Sequence, residues 1–262
     1  MKVAIIGLGV VGLSFASVLG SRGFSVFGMD SDLKKIEKIN SKKLPFFEPK
    51  LESFLKNALS KSLEITSDIE KIVKNCDFIF ITVGTPKSKS GFIDLSMIKN
   101  VSKNIGISLR YSSKKPIIVV KSTVIPGTTA DVIKPLIEKA SRKKAGLGFE
   151  IITNPEFLRE GNVIDDTLNP HLVVIGGSNK NSVNRLKKFY RKLYDSKIKF
   201  MTTNSQTAEM IKYANNSFLA TKISFINQSS SLCQSIPGTS IDEVAEGIGA
   251  DPRIGRLFLN AG

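Results

Sequence analysis

The strongest fold signal of the chain lies in residues 2–30, which read KVAIIGLGVVGLSFASVLGSRGFSVFGMD. Its apolar run Lys2–Ile6 predicts a strand, Val10–Arg22 predicts a helix and Phe24–Met29 predicts a second strand. The turn between the first strand and the helix carries the pattern G-x-G-x-x-G over residues 7–12. In this context of strand, turn and helix, the pattern is typical of a loop that holds the diphosphate of a dinucleotide.

Each glycine of this loop has a separate physical task. Gly7 permits the tight turn, Gly9 lets the diphosphate approach backbone N–H groups, and Gly12 lets the helix pack on the strand. The helix N-terminus adds partial positive charge for the phosphates. Asp30 ends the second strand, 23 residues after Gly7. Its carboxylate would accept hydrogen bonds from the adenosine ribose and repel a 2′-phosphate, which favours NAD over NADP.

Short apolar runs and longer amphipathic stretches alternate as far as Thr203. This order predicts an α/β fold, a doubly wound Rossmann-like parallel sheet with helices on both faces. We expect further strands at residues 77–83, 116–121, 149–153, 172–175 and 197–201. We expect further helices at residues 32–40, 48–60, 128–144 and 181–194, and one from Leu95 with Asp94 as its N-cap.

After Thr203 the pattern changes. The stretch from Ala208 to about Ser235 holds no glycine or proline and predicts one long helix. Ser240, with Glu243 three residues later, forms a capping-box pattern that predicts a shorter helix. We therefore expect a NAD-binding domain over residues 1–202 and a central helical region over residues 203–262. Such a long helix connects domains or forms a dimer interface, or else it packs on the same domain.

The composition excludes several classes of protein. Lys and Arg outnumber Asp and Glu by 38 to 23, which gives a net charge of +15, but the basic residues are scattered. This favours a solvated basic surface over nucleic-acid binding, for which a long basic run is typical. Two cysteines and one histidine support neither a disulfide framework nor a metal cluster. No apolar run is long enough to span a membrane, so a reduced cytoplasmic protein is expected.

Polar loops follow three of the predicted strands, at residues 83–86, 121–128 and 154–161. Because ligands bind beyond the carboxyl ends of strands in a doubly wound sheet, these loops should share one rim. They bring hydroxyl groups together with two carboxylates, Glu156 and Glu160. Each loop alone is more typical of ordinary turn chemistry. Together on one rim, they indicate an active site.

The long helix carries one further polar pair. Lys212 and Asn216 are four residues apart, so they share one face of the predicted helix. An ammonium beside an amide donor would stabilise an oxyanion that develops during a reaction. The alternative is an exposed surface pair without a chemical role.

Several long motifs together resemble the UDP-glucose 6-dehydrogenase family, one of the nucleotide-sugar dehydrogenases. They run in the family's order over nearly the whole chain: GLGVVGL, VGTP, KSTVIPGTT, NPEFLREGNVIDDTLNP, AEMIKYANNSFLATKISFIN and GADPRIGRLFLNAG. The PEFLREG form resembles the UDP-glucose or GDP-mannose enzymes more than the UDP-N-acetylmannosamine enzymes. The DPRIG stretch resembles UDP-glucose dehydrogenase in particular.

The resemblance implies oxidation of a sugar C6 alcohol to a carboxylate with two NAD molecules and a cysteine nucleophile. It implies that Thr123 positions the catalytic water and that Glu156 is the general base, while Glu160 supports the nicotinamide and sugar end. Which glutamate has which role stays open. Lys212 and Asn216 would hold the oxyanion.

The resemblance also implies the ligand-binding residues and the assembly. With the glycine loop, the expected cofactor site is Gly7, Gly9, Val10, Val11, Gly12, Asp30, Lys35, Thr85, Thr123 and Glu160. The expected site for the UDP-sugar substrate is Glu156, Phe157, Leu158, Arg159, Glu160, Lys212, Asn216 and Arg253. Arg253 would be offered by a neighbouring subunit of a homodimer formed through the helix after residue 203.

One expected feature has no match in this sequence. The family's nucleophile lies in a Gly-Gly-Ser-Cys motif after the final matching stretch, and neither Cys76 nor Cys233 occupies that position. Both cysteines are expected to be small buried side chains. The family's C-terminal UDP-binding domain has no counterpart here either. We therefore expect NAD binding without complete oxidation by this chain alone.

Two other functions remain open at this point. The chain is a non-catalytic NAD-binding subunit that pairs with a separate C-terminal chain, or it is related to the β-hydroxyacid dehydrogenases. The second group shares a Rossmann domain followed by helices and needs a lysine rather than a cysteine. Lys212 with Asn216 would suit that chemistry.

Overall fold

The computed structural model describes residues 1–88, 91–194 and 198–262. Its strands are β1 (Lys2–Ile6), β2 (Ser25–Met29), β3 (Leu63–Thr66), β4 (Phe78–Ile81), β5 (Ile117–Val120), β6 (Glu150–Thr153), β7 (Val173–Gly176) and β8 (Phe200–Thr203). Within those ranges they form one eight-stranded sheet in the order β3-β2-β1-β4-β5-β6-β7-β8. The strands from β1 to β6 pair in parallel, as the doubly wound prediction requires.

Helices connect these strands. They are α1 (Val10–Ser21), α2 (Leu33–Asn40), α3 (Leu51–Lys61), α4 (Ile69–Asn75), α5 (Ser96–Arg110), α6 (Lys134–Ser141), α7 (Val163–Leu168), α8 (Lys180–Leu193), α9 (Ser205–Ser235) and α10 (Ile241–Gly249). A π-helical turn, Thr129–Ile133, leads directly into α6. The expected α/β fold with a long helix after the sheet is confirmed.

The core lies on both faces of the sheet, which is why the central strands are apolar throughout. On β1, Val3 and Ile5 join one buried cluster, whereas Ala4 and Ile6 join the other. Successive side chains of a strand point to opposite faces, so both faces need apolar residues. Phe189 of α8 packs edge-on or tilted against aromatic rings in the first cluster.

Several local details differ from the sequence predictions. The short strand β3 and the helices α4 and α7 were not predicted. β7 runs antiparallel to β6 and parallel to β8. The single helix predicted over residues 128–144 is a π-helical turn followed by a shorter α-helix. Strand β8 lies at Phe200–Thr203 rather than residues 197–201, and Lys197 is outside the described residues.

Helix capping shows one error and one success of the local patterns. Asp94 is not the N-cap of α5, because that position is Leu95, but the Asp94 carboxylate accepts from the Ser96 amide at 2.8 Å. The Ser240 hydroxyl accepts from the Glu243 amide at 3.4 Å at the start of α10, as the capping pattern predicts.

The backbone contacts divide the chain into two units, Met1–Met210 and Ile211–Gly262. The first contains the sheet and the first turns of α9. The second contains the rest of α9 together with α10, and has a small core of Ile226, Ala245 and Leu259. No helix in the described residues is long and apolar enough to cross a membrane.

Candidate functional site

The glycine loop, residues 7–12, connects β1 to α1, and two of its glycines are required by the backbone conformation of this connection. Gly7 has a φ of +100°, in the left-handed region, and its amide donates to the Met29 carbonyl at 2.8 Å. A Cβ on Gly12 would lie 1.8 Å from the Gly7 carbonyl oxygen, so only glycine permits this contact. Apart from Gly9 itself and its two chain neighbours, no described heavy atom lies within 4 Å of a Cβ built on Gly9.

The start of α1 fits a diphosphate. Gly9 is the N-cap of α1 and has no side chain that could cap the first turn. Val10 and Val11 follow it, and no acidic residue lies in that turn. The first N–H groups of a helix lack partners within the helix, and the helix dipole makes their end positive. A phosphate oxygen is therefore a suitable acceptor at this position.

Asp30 is tied into the glycine loop as well as placed at the end of β2. Its Oδ2 accepts from the Leu8 amide at 2.8 Å and from Lys35 Nζ at 2.8 Å, and its Oδ1 accepts from the Asp32 amide at 3.0 Å. A carboxylate accepts about four hydrogen bonds, so one acceptor position remains beyond these three described donors. That remaining position suits a ribose hydroxyl.

The environment also sets the charge of Asp30. Burial alone would raise the pKa of its carboxyl, but the hydrogen bonds from Lys35, Asp32 and Leu8 outweigh it and hold the pKa below its ordinary value. Asp30 is thus an anion near neutral pH. Lys35 pairs with this anion at 2.8 Å. We expect the carboxylate to disfavour a 2′-phosphate at this position.

Hydroxyl hydrogen bonds join the ends of the neighbouring strands β1, β4 and β5. Thr82 Oγ1 donates to the Gly7 carbonyl at 2.8 Å. Thr85 Oγ1 donates to the Thr123 carbonyl at 2.7 Å, and Ser122 Oγ donates to the Val83 carbonyl at 2.7 Å. The structure therefore brings the predicted residues Thr85 and Thr123 together on the rim beside the glycine loop.

The loop after β6 carries the two predicted glutamates. Glu156 Oε2 accepts from the Leu158 amide at 2.7 Å, and Glu160 is exposed. Arg159 donates from Nε at 3.1 Å and from Nη2 at 2.6 Å to Asp166, which raises the pKa of Arg159 and lowers that of Asp166. Phe157 meets the His171 ring edge-on.

A small cavity of about 30 Å³ lies beneath this loop and is lined by the predicted Glu156 together with polar residues that the sequence did not single out, among them Lys121, Asn154 and Tyr190. Lys121 is buried there, with Nζ 3.5 Å from Asn154 Oδ1 and 5.2 Å from the Phe15 ring. The Tyr190 hydroxyl donates to the same Asn154 oxygen, and burial raises the pKa of Tyr190 well above its ordinary value. The sequence signal that could have found Lys121 is its position, since this charged residue directly follows the apolar run Ile117–Val120.

The second unit carries the other predicted site residues. Lys212 is buried and Asn216 is exposed, one turn apart on α9. Arg253 is exposed and donates to both carboxylate oxygens of Asp251, which raises the pKa of Arg253. The expected roles of these three residues stay predictions.

The two cysteines lie in different surroundings, and the surroundings of Cys76 do not activate its thiol. Cys76 is buried before β4, and burial together with the nearby Asp77 raises the pKa of its thiol to about 12. Cys233 lies near the end of α9 in the second unit and is half-buried. Among the described residues, no group of three or more His, Cys, Asp or Glu side chains is arranged for a metal ion.

The strand order, the glycine loop and the carboxylate at the end of β2 define a Rossmann-type dinucleotide-binding protein. Comparison with known families narrows this class. Residues 1–194 match the NAD-binding domain of the UDP-glucose/GDP-mannose dehydrogenase family, and residues 206–262 match the central domain of the same family. The chain belongs to this family, and its cofactor is NAD, as the sequence predicted.

Individual relatives agree with this assignment. The chain is 43% identical to a UDP-glucose 6-dehydrogenase of Rickettsia prowazekii, covering 100% of this chain and 58% of the relative. It is 41% identical to the UDP-glucose 6-dehydrogenase TuaD of Bacillus subtilis, covering 100% of this chain and 55% of the relative. The chain therefore spans little more than half the length of these relatives.

Solved structures show the same fold. A ternary complex of GDP-mannose dehydrogenase from Pseudomonas aeruginosa superposes with a TM-score of 0.92 at 38% identity, covering 100% of this chain and 60% of that one. A UDP-glucose dehydrogenase from Pyrobaculum islandicum also gives 0.92, at 34% identity, covering 100% of this chain and 59% of that one.

Proposed function

We propose that this chain takes part in the NAD-dependent oxidation of the C6 alcohol of UDP-glucose to the carboxylate of UDP-glucuronate. The observation that carries the proposal is the arrangement of the glycine loop, Asp30, Thr85 and Thr123 on one rim. The choice of UDP-glucose rests on the relatives named UDP-glucose 6-dehydrogenase, which are 41% and 43% identical over the whole chain. It also rests on the DPRIG motif.

The cofactor-binding roles follow from hydrogen-bonding capacity. The first-turn amides of α1, at Val10 and Val11, hold the diphosphate, and the remaining acceptor position of Asp30 holds the adenosine ribose. Lys35 keeps Asp30 ionised and oriented through its 2.8 Å ion pair. Thr85, Thr123 and Glu160 border the nicotinamide end. Bound NAD⁺ supplies the acceptor for hydride, two electrons at a time, so an alcohol-to-acid oxidation needs two of them.

The substrate roles fall on the loop after β6 and on α9. Glu156 accepts a proton from the attacking water, which Thr123 orients. Residues Phe157, Leu158 and Arg159 line the sugar site, and Lys212 with Asn216 stabilises the oxyanion. A lysine that is shielded from water stabilises a developing negative charge more strongly than one in bulk solvent.

The buried, high-pKa Cys76 favours a second candidate function, in which this chain is the NAD-binding part of a two-chain enzyme whose nucleophile lies on another polypeptide. In both versions the chain forms a homodimer through α9, Arg253 serves the neighbouring subunit, and the protein works in the cytoplasm.

Absorbance at 340 nm distinguishes these functions. We expect NADH formation with UDP-glucose, but with neither GDP-mannose nor UDP-N-acetylmannosamine, and a loss of about a hundredfold or more in Thr123→Ala. NAD⁺ binding without reduction by any nucleotide sugar would favour the two-chain enzyme. Oxidation of small β-hydroxyacids instead would contradict both proposed functions.

A further inference from the structure

Two buried glutamates, Glu48 and Glu209, hold two rim loops by the same geometry. Neither residue belongs to the predicted site. Glu48 lies just before α3 and is 4% exposed, and Glu209 lies in the first turns of α9 and is 2% exposed. Glutamate is almost never this buried unless it has hydrogen-bond partners, so the partners of both carboxylates are informative.

Glu209 holds the end of the loop that carries Thr123. Its Oε2 accepts from the Gly127 amide at 2.6 Å, and its Oε1 accepts from the Thr129 amide at 2.9 Å. Thr129 is the first residue of the π-helical turn, and the N-cap residue Thr128 forms no described side-chain cap bond. The carboxylate of Glu209, about 80 residues away, therefore satisfies two N–H groups that the loop itself leaves without acceptors.

Glu48 holds the end of the loop that carries Glu156 and Arg159. Its Oε2 accepts from the Gly161 amide at 3.1 Å, and its Oε1 accepts from the Val163 amide at 2.9 Å. Val163 is the first residue of α7, and the N-cap residue forms no side-chain cap bond within the described chain. The partner amides again belong to the residue before the N-cap and to the first helical residue.

The backbone explains why the two loops need this support. Gly127 and Gly161 both have positive φ, +97° and +80°, so each loop turns sharply just before its helix begins. In each loop one carboxylate then bridges two amides that are two residues apart. At its other end, the Thr123 loop is tied to the neighbouring rim loop by the Thr85 and Ser122 hydroxyls. The loop is thus fixed at both ends.

We propose that Glu48 and Glu209 are positioning residues that fix the substrate loop, residues 154–162, and the cofactor loop, residues 121–128, independently of each other. Glu209 maintains Thr123 and its partner Thr85 at the cofactor. Glu48 maintains the segment from Glu156 to Glu160. The assignment of each loop to a ligand rests on the proposed function, whereas the attachment of each loop to its glutamate rests on the hydrogen bonds.

The variants Glu48→Gln and Glu209→Gln test this proposal with almost no change of shape. An amide has one acceptor oxygen and one donor NH₂ group, so it places a donor against one of the two backbone N–H groups. The exposed Glu52→Gln in α3, four residues after Glu48, is the matched control. If a glutamine variant fails to fold, Glu48→Asp or Glu209→Asp replaces it, because aspartate keeps both acceptor oxygens one methylene further from the amides.

The readouts are the NAD⁺ dissociation constant and amide hydrogen exchange. We expect Glu209→Gln to weaken NAD⁺ binding roughly tenfold and to accelerate exchange over residues 122–130. We expect Glu48→Gln to weaken NAD⁺ binding by less than about threefold, because Glu160 alone of this loop borders the cofactor, and to accelerate exchange over residues 158–166. Glu52→Gln should change neither quantity.

A purely structural role would lower the melting temperature of both glutamine variants without this separation of effects. The proposal is overturned if both variants weaken NAD⁺ binding equally, if Glu48→Gln alone weakens it, or if exchange stays unchanged in the loop that each glutamate contacts. If the wild-type chain binds no NAD⁺, the cofactor assignment fails. The exchange measurement alone then still decides whether each glutamate holds its loop.

Discussion

At the scale of single residues, two glycines of the same loop meet opposite surroundings. A methyl group on Gly12 would lie 1.8 Å from the Gly7 carbonyl oxygen and 2.6 Å from Thr82 Oγ1. A methyl group on Gly9 would have no described heavy atom within 4 Å other than those of Gly9 and its two chain neighbours. The fold therefore requires Gly12, whereas we expect the requirement for Gly9 to come from the ligand.

This contrast gives a matched pair of variants. We expect Gly12→Ala to destabilise the protein by about 3 kcal/mol or more, since the backbone has to move to admit the methyl group. We expect Gly9→Ala to keep the wild-type melting temperature but to lose NAD⁺ affinity. Thermal unfolding with and without NAD⁺ measures both, and a Gly9→Ala variant that binds NAD⁺ as the wild type does would contradict the placement of the diphosphate.

The Asp30 carboxylate links stability to pH. Its pKa in the folded protein is below that in the unfolded chain, which is about 3.9. The stabilisation by its hydrogen bonds is therefore fully present above about pH 4 and is lost as the pH falls through the folded pKa. We expect Asp30→Asn to lower the melting temperature at pH 7, with the difference from wild type shrinking below pH 4. A difference independent of pH would show that the ionised form is not what the network stabilises.

At the scale of elements, the predicted and the missed features have separate physical causes. The strand–loop–helix unit at residues 2–22 and the strand around Phe78–Ile81 were predictable because their signals are local: spaced glycines and continuous apolar runs. Strand β3 was missed because it is a four-residue edge strand with a mostly half-exposed pattern, and α4 because it has only seven residues. The antiparallel direction of β7 relative to β6 was missed because strand direction has no local signal in the sequence.

The same reasoning applies to the candidate site. The glycine loop, Asp30 and the rim hydroxyls follow from motif spacing and from the rule that sites lie at strand ends. Glu48 and Glu209 were not predictable, because their amide partners are 80 or more residues away in the chain. Lys121 was missed because burial of a charged side chain depends on the packing of α1 and α8 around it.

The contact between α5 and α6 depends on another glycine. A Cβ on Gly106 would lie 2.6 Å from the Cβ of Ala140 and 2.9 Å from the Ile137 carbonyl oxygen. We expect Gly106→Ala to destabilise the protein by about 1–3 kcal/mol, because overpacking outweighs the better helix propensity of alanine. The exposed Lys103→Ala on the same helix is the control and should stay within about 0.5 kcal/mol in urea unfolding. Equal stability of the two variants would contradict the close packing of these helices.

At the scale of the whole molecule, residues 1–194 match the NAD-binding domain of the family and residues 206–262 match its central domain. The sheet of the first unit gathers the loops of three neighbouring strands beside the glycine loop. We therefore expect NAD to lie across this rim with its diphosphate on the α1 amides and its adenosine ribose on Asp30.

Isothermal titration calorimetry of the wild-type chain with NAD⁺ and with NADP⁺ tests this placement of the cofactor. We predict saturable binding of one NAD⁺ per chain, a rise in melting temperature with NAD⁺ concentration, and an affinity for NADP⁺ lower by roughly tenfold or more. The Asp30→Ala variant should narrow the difference between the two cofactors. An absence of heat and of any thermal shift at saturating NAD⁺ would contradict the account.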